Sequence, residues 1–273
     1  MNESAGYFDN DSVIRRVLRE RALALSGPRA LLMQAAHPLA VAGLLAHSDS
    51  LEDPYVRLAR TARIMNLITF GPRTEADEAT RRVRAMHRAV RGHLPSTVGP
   101  YPAGTPYRAD DPALLMWILY TLVDSALVVY RTYVGRLSQD ERAALWEDYK
   151  VIGRLFGLRR EQMPHTYHEL REYGREMLSG DALHVGDWAR RRARKIVLEP
   201  PVAPLARPLV ETVNFITIAL LPDEIRAQYG FLPLPPAPVR KVLVGAGAAY
   251  VRRGVLPILP AQLREVPAAR RAA

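Results

Sequence analysis

The sequence predicts an all-α fold, a single bundle of about ten helices with a core large enough to contain a cavity. Apolar residues recur at helical spacing along most of the chain, and no segment shows the convincing alternation of a half-buried strand. With 48% hydrophobic and 24% charged residues, the 273-residue chain has the composition of a globular protein and can bury a large core. No long polar linker or internal repeat divides it. We therefore expect one helical domain over residues 27–255, an N-terminal helix within 1–26 and a basic C-terminal tail at 256–273.

Caps, breakers and apolar stripes predict the individual helices. Asp11 is a suitable N-cap for a first helix, which ends near Leu25 at a Ser-Gly-Pro sequence. The next apolar segment is broken at Pro38, because proline lacks the amide donor that a helix interior needs. The segment 94–111, rich in Pro, Gly and Ser, is predicted to be a loop. Further helices are predicted at 54–70, 73–93, 110–133, 138–156, 167–178, 184–197, 206–220, 223–229 and 239–255.

The composition excludes several classes of protein. The chain has no cysteine, which excludes a disulfide scaffold, a thiolate zinc site, an iron–sulfur cluster and a cysteine nucleophile. Its net charge is +10, but the basic residues are almost all arginines and are spread over the whole chain. A dedicated basic patch is therefore absent from the pattern, and we expect no nucleic-acid partner.

The N-terminal segment has early acidic residues and no apolar run, which predicts neither a signal peptide nor a transit peptide and favours the cytoplasm. Of the three most apolar stretches, 30–46 is interrupted by a proline and 114–130 by an aspartate. The third, 213–221, is too short to cross a bilayer. We interpret them as buried helices. At most a peripheral membrane contact is expected, to which the basic tail would contribute.

No Walker loop, GxSxG elbow, HExxH motif or GxGxxG after a strand is present, so the candidate chemistry rests on histidines. His87 lies beside an apolar stripe formed by Ala76, Ala79, Val83, Met86 and Val90, and is expected to face the core or its margin. An inward imidazole among aliphatic side chains suits a haem iron. On sequence geometry alone, a core or hydrogen-bonded structural histidine explains the position as well.

Arg57, Arg60 and Thr61 share one helix face, because they are spaced i, i+3 and i+4, and this polar face continues into an apolar stripe. Guanidinium groups pair carboxylates in a fork geometry, which suits a haem propionate or an acidic substrate. The alternative is a helix start whose arginines pair with Glu52 or Asp53.

Three other histidines have two interpretations each. His37 precedes the proline break, where it either caps the interrupted backbone or binds a ligand. His165 and His168 have a spacing that could hold a metal ion, but Thr166 followed by Glu169 already explains this segment as a helix N-cap.

Several motifs in order resemble one known family. They are QAAHPLAVAG, the R-x-x-R-T of residues 57–61, TFG before a helix that ends in RRVRAMHRAV, YRADDPALLMWILYTLVDSALVVY, LS-x-x-E-R and the turn at Pro164. Together they resemble the DUF2236 family, which contains the latex-clearing rubber oxygenases and the MpaB-like oxygenases. The resemblance covers about residues 27–178, and LLPDEIRAQYG is similar to the C-terminal continuation.

The resemblance implies an all-helical protein that binds haem b and, in the best-understood members, cleaves a carbon–carbon double bond of a polyisoprenoid with O2. By matching motifs, His87 corresponds to the proximal iron ligand, and Arg57 and Thr61 to the Arg and Thr near the haem. Arg60 stands where some rubber oxygenases have a distal lysine, and an arginine is a very poor iron ligand because it stays charged. A histidine of many relatives is replaced here by Leu119 or Tyr120, so its role does not transfer.

The resulting hypothesis is a haem b oxygenase for an apolar small molecule such as an isoprenoid. His87 would bind iron, Arg57 and Thr61 would contact the cofactor, and Arg60, Thr61 and His37 are the candidate catalytic residues. The alternative is a helical haem or lipid carrier or sensor without turnover. The remaining hypotheses are a nucleic-acid binder and a non-haem metal site at His165 and His168.

Overall fold

The structure is a computed structural model that describes residues 6–46, 54–191, 207–231, 237–250, 252–253, 260 and 264–272. It is predominantly helical, which confirms the predicted all-α class. In chain order the labelled helices are α1 (Val13–Leu18), α2 (Ser26–Gln34), α3 (Pro38–Ala46), α4 (Pro54–Phe70), α5 (Arg73–Ala89), α6 (Pro112–Val129), α7 (Gln139–Phe156), α8 (Tyr167–Ser179), α9 (Arg207–Ala219), α10 (Asp223–Tyr229), α11 (Ala237–Tyr250) and α12 (Pro267–Arg271). Residues 187–191 are also helical, and the rest of the helix predicted at 184–197 lies outside the described residues.

The first predicted helix is wrong in extent. The α-helix covers only Val13–Leu18 and is followed by a 3-10 helix at Arg21–Leu25. The N-cap is Ser12 and not Asp11, and its side chain makes no capping bond. The backbone N–H of Ile14 donates instead to Asp148 Oδ2 on α7, at 3.1 Å. A carboxylate from a distant helix thus replaces the local cap.

The C-terminal segment packs against this N-terminal region. Glu20 and Glu265 form an isolated antiparallel bridge, and the N–H of Val266 donates to the carbonyl of Arg19 at 2.8 Å. The side chain of Arg15 donates to the carbonyl of Ala272 at 2.9 Å. Residues 264–272 of the predicted basic tail are therefore held by hydrogen bonds to the start of the chain.

A short hairpin replaces part of the loop predicted at 94–111. Strands β1 (Arg91–His93) and β2 (Pro106–Arg108) pair antiparallel, with Gly92 opposite Tyr107, so α5 ends at Ala89 and not at residue 93. Tyr107 is buried with Ala42 of α3 and Leu94. A Cβ at Gly92 would lie 2.5 Å from Tyr107 Oη, so the hairpin closes over α3 only with glycine there.

The centre of the molecule is the contact between α2 and α6. The end of α2 leaves carbonyl groups outside the regular helical hydrogen bonding, and aromatic side chains donate to two of them, of which that of Met33 also accepts from the N–H of Ala36 at 3.2 Å. Tyr229 Oη donates to the carbonyl of Leu32 at 2.8 Å, and Trp117 Nε1 donates to that of Met33 at 3.3 Å. The break before Pro38 is confirmed, since α2 ends at Gln34 and α3 begins at Pro38.

Helix α6 continues into a π-helical turn at Tyr130–Val134, which the N–H of Gly135 closes by donating to the carbonyl of Tyr130 at 2.9 Å. Over the described residues, Pro112–Val134 is the one helix long and apolar enough to cross a membrane. Within its most apolar window 67% is buried inside the protein, as expected for the core helix that the sequence predicts.

Candidate functional site

His87 lies in the last turn of α5, on the face that packs against the protein. Ala76 and Thr80 are buried, and Val83 and His87 continue the same face as half-buried residues at helical spacing. Helix α5 contacts α4 on one side and α7 on the other. His87 therefore lies at the margin of the core as a half-buried side chain whose Nδ1 atom is buried.

Met86, expected in the same stripe, faces solvent instead. Its side chain is 54% exposed, because the inward face of α5 follows the positions of Ala76, Thr80, Val83 and His87, and Met86 is a helical step of about 100° away from His87. The result is an uncovered apolar side chain one residue before His87, on a neighbouring face of α5.

Helix α4 carries the other predicted site residues and packs against α5. Arg60 and Thr61 are exposed, whereas Ile64 and Met65 are half-buried and Ile68 is buried. The predicted change from a polar face to a buried stripe along this helix is confirmed. Arg57 lies on the same helix, but its side chain, Glu52 and Asp53 are outside the described residues, so the ion pairs considered from the sequence are untested.

His37 lies at the break between α2 and α3 and is 6% exposed. Its backbone carbonyl accepts from the N–H of Val41 at 3.1 Å, and its own N–H donates to the carbonyl of Gln34 at 3.1 Å, so the backbone and not the side chain bridges the break. The ring faces Tyr101, with 5.6 Å between ring centroids. Among the described residues, Nδ1 has no hydrogen-bond partner.

Burial determines the charge of His37. Desolvation lowers the pKa of its imidazole to about 4, against a weaker opposing effect from the carboxylate of Asp111. The side chain is therefore a neutral, buried imidazole at pH 7, and it lies close to the hairpin that follows α5.

The HxxH segment serves as a helix N-cap. Thr166 Oγ1 accepts from the N–H of Glu169 at 3.1 Å, and Glu169 Oε2 accepts from the N–H of His165 at 2.8 Å. The hydrogen bond from the N–H of His165 to the carboxylate lowers the pKa of Glu169. His165 and His168 are exposed, and no group of three His, Asp or Glu side chains in the described ranges could hold a metal ion. The geometry of this segment therefore does not support its interpretation as a metal site.

Leu119 and Tyr120, at which the family resemblance implied a histidine, are both buried. Tyr120 stacks on Trp117, at 5.5 Å between ring centroids, and meets Tyr173 edge to face at 5.8 Å. Burial raises the pKa of the Tyr120 phenol above its ordinary value. These residues form core packing, and no ligand role follows from their positions.

One buried polar cluster is visible only in the structure. Arg29 of α2 is 3% exposed and pairs with Asp124 of α6 at 2.8 Å. Its guanidinium also donates to Ser125 Oγ and to the carbonyl of Leu220, each at 2.7 Å. The only signal in the sequence is that Arg29 and Asp124 each interrupt an apolar run.

Two clefts open on the described part of the protein. One of about 400 Å³ lies between α5, α7 and the N-terminal segment, lined by Tyr7, Arg73, Val151, Arg154 and Leu155. The other, of about 280 Å³, is lined by Arg131, Thr132, Ala219, Leu220, Val244, Gly245, Ala248 and Arg252. Neither cleft is lined by any of the predicted site residues, so the cavity expected beside His87 is not one of these two.

Comparison with known proteins identifies one family. The family model described as the catalytic domain of the ER-bound oxygenase mpaB/B' and rubber oxygenase matches residues 14–254. Neither a curated protein nor a solved structure matches the chain. The family match spans most of the sequence, including α4, α5 and every residue of the predicted site. The chain therefore belongs to the mpaB and rubber oxygenase family of catalytic domains.

Proposed function

We propose that this protein is a haem b-dependent oxygenase in which His87 binds the iron and an apolar small molecule is oxidised with O2. The observation that carries the proposal is the position of His87, at the margin of the core on α5, in a chain that belongs to an oxygenase family. An iron ligand must present one ring nitrogen to the cofactor while the protein holds the ring in place. A half-buried imidazole meets both requirements.

The other described histidines meet them less well. His93, His165, His168 and His184 are exposed, so the protein does not enclose them, and His37 is enclosed on nearly all sides. Next to His87, the exposed Met86 supplies an apolar surface that a porphyrin edge would cover. The residues present on α5 thus fit the group.

Helix α4 supplies the polar side of the proposed site. Arg57 would pair a haem propionate, because a guanidinium and a carboxylate form two parallel hydrogen bonds. Arg60 and Thr61 are exposed on the helix that packs against α5, where a bound molecule can reach them. Arg60 keeps its positive charge and would stabilise negative charge on a carboxylate or on reduced oxygen, and the hydroxyl of Thr61 would donate a hydrogen bond.

The haem, when bound, supplies the O2 chemistry, and the side chains orient the substrate and limit the access of water. Ile64 and Met65 on α4 and Met86 on α5 offer aliphatic contacts to a substrate, which favours an apolar molecule such as an isoprenoid alkene. His37 is neutral and buried and would contribute to the shape of the site without carrying charge.

An absorption spectrum tests the iron ligand. Protein produced with an adequate haem supply should show a Soret band, and His87→Ala should lose at least nine-tenths of it. His165→Ala is the matched control, because it removes an exposed imidazole from the N-cap of α8 and should leave the band unchanged. An unchanged band in His87→Ala would assign the iron to another residue.

Oxygen reactivity separates an oxygenase from a carrier or sensor. The haem-loaded protein is reduced without oxygen and then mixed with O2, with and without short isoprenoid alkenes. An oxygenase should consume its oxygen complex faster when substrate is present and release aldehyde or ketone products. Decay at the same rate with every alkene, and no product, would support the carrier and refute the oxygenase.

A further inference from the structure

Helix α11 exposes an apolar face that the described part of the protein leaves uncovered. Four large apolar side chains in the described ranges are strongly exposed, and three of them lie on α11: Val239 at 48%, Val242 at 69% and Leu243 at 49%. Their spacing of i, i+3 and i+4 places them on one side of the helix. Ala246 extends the same side and is also exposed. We call these four residues the α11 apolar face.

The opposite side of α11 packs on the protein. Ala248 is buried and Val244 is half-buried, and the helix contacts α9 and the π-helical turn after α6. Helix α11 therefore lies on the surface of the domain with its orientation determined by packing on one side. Its 14 residues span about 21 Å, which is shorter than the roughly 30 Å of a bilayer core.

The second cleft adjoins this helix and contains two cationic side chains. Arg131 of the π-helical turn and Arg252 line it, together with Thr132 and the apolar wall formed by Leu220, Val244 and Ala248. Within the described ranges, neither arginine forms an ion pair with a carboxylate, unlike Arg29 or Arg226. Two guanidinium groups in a cleft with an apolar wall suit a phosphate that carries an apolar chain.

We propose that α11 is a membrane-docking helix. Its apolar face enters the interfacial layer of a bilayer, and the phosphate of an anionic phospholipid binds to Arg131 and Arg252 in the adjoining cleft. A helix that lies flat in the interface inserts its apolar side by about 5–10 Å, which requires the exposed face seen here. The net charge of +10 attracts the whole chain to an anionic surface.

The charge favours a bilayer over a protein partner. An apolar protein interface needs a matching apolar patch, but it gives no reason for two arginines in the adjoining cleft that pair with no carboxylate of the described residues. An anionic membrane offers both an apolar layer and a continuous sheet of phosphates. The inference is independent of haem binding, and it would place the oxygenase proposed above at the phase in which apolar molecules dissolve.

Vesicle sedimentation with the full chain tests the proposal. We expect binding to phosphatidylcholine vesicles that contain 30 mol% phosphatidylglycerol, little binding to pure phosphatidylcholine, and weaker binding as salt increases. Val242→Asp should lower the partition coefficient at least tenfold. The control Ala144→Asp places the same charge on an exposed site of α7 and should change binding less than twofold.

The headgroup site has its own test. Arg131→Ala should weaken binding to the anionic vesicles about fivefold, the equivalent of about 1 kcal/mol per arginine near the surface. Arg171→Ala removes the same charge from an exposed position on α8 and serves as the control. Equal urea midpoints for all four variants and the wild type establish that each is folded.

Three outcomes would overturn the proposal. The first is no binding to anionic vesicles. The second is equal weakening by Val242→Asp and Ala144→Asp, or by Arg131→Ala and Arg171→Ala, which would indicate general charge attraction only. The third is a dimer in light scattering that Val242→Asp dissociates while vesicle binding is absent, which would make the α11 apolar face an interface between two copies of the chain.

Discussion

Arg29 joins three helices from a buried position, and its replacement tests the central packing. The guanidinium pairs with Asp124 on α6, donates to Ser125 on the same helix and donates to the carbonyl of Leu220 at the end of α9. The perturbation is Arg29→Met, which keeps most of the side-chain length and removes the charge and its hydrogen bonds.

The expected loss follows from what remains after the change. Breaking a buried ion pair by removing one partner costs about 3–5 kcal/mol, because the other charge stays buried without compensation. The Asp124 side chain is 29% exposed and keeps part of its hydration, which places the loss near the lower end, at about 3 kcal/mol. That is a large part of the 5–15 kcal/mol typical of a folded protein. At about 2–4 °C per kcal/mol, the melting midpoint falls by about 6–12 °C.

Urea unfolding at pH 7, followed by tryptophan fluorescence, measures this loss. Trp117 and Trp146 are fully buried, so their emission reports loss of the core. Arg171→Met makes the same chemical change on the exposed surface of α8 and should shift stability by less than about 0.5 kcal/mol.

The double variant Arg29→Met with Asp124→Leu separates the ion pair from the rest of the packing. It removes both charges and should recover part of the loss, because a buried pair replaced by apolar side chains is often neutral or stabilising. A loss below about 1 kcal/mol in Arg29→Met, or a double variant less stable than the single one, would refute the reasoning.

Three further predictions concern single positions. Because burial lowers the pKa of His37 to about 4, from 6.5 in the unfolded chain, the unfolded state binds more protons between these values and stability falls as the pH falls. From pH 7 to pH 4 the wild type should lose about 3 kcal/mol more than His37→Gln in urea unfolding, and equal losses would contradict the burial of a neutral imidazole. Gly174→Ala would place a Cβ 2.1 Å from Tyr120 Oη and should cost about 1–3 kcal/mol, whereas Gly247→Ala, with open space around it in α11, should gain about 0.5–1 kcal/mol. Asp111→Ala removes the acceptor for the first N–H groups of α6 and should cost about 1 kcal/mol in thermal unfolding, most of which Asp111→Asn should restore.

Local signals in the sequence predict most of the helices correctly. The predicted bounds of α4 and α10 agree with the structure, and the break before Pro38 lies where the missing amide donor predicts it. The predicted start at Ser138 is confirmed by a capping box in which Ser138 and Glu141 satisfy each other's backbone N–H groups. These features depend on residues within one or two helical turns. All the residues that interact are therefore close together in the sequence.

The errors lie where a distant residue competes with the local signal. Asp148 takes the place of a local cap at the start of α1, and the bridge between Glu20 and Glu265 interrupts the first predicted helix. The strands of the hairpin have three residues each, too few for an alternating pattern, and they form because Tyr107 is buried against α3. The residues adjacent in sequence to these contacts form no pattern that predicts them.

The candidate site also has some features that the sequence predicts and others that only the tertiary structure shows. Helical periodicity alone predicts that His87 faces inward and that Arg57, Arg60 and Thr61 share a face, since both depend on about 100° per residue within one helix. The burial of His37 against Tyr101, the exposure of Met86 and the ion pair of Arg29 with Asp124 required the tertiary structure. The physical reason is that burial and pairing depend on which helices pack together, and that arrangement joins residues nearly a hundred or more positions apart, such as Arg29 with Asp124 and Arg29 with Leu220.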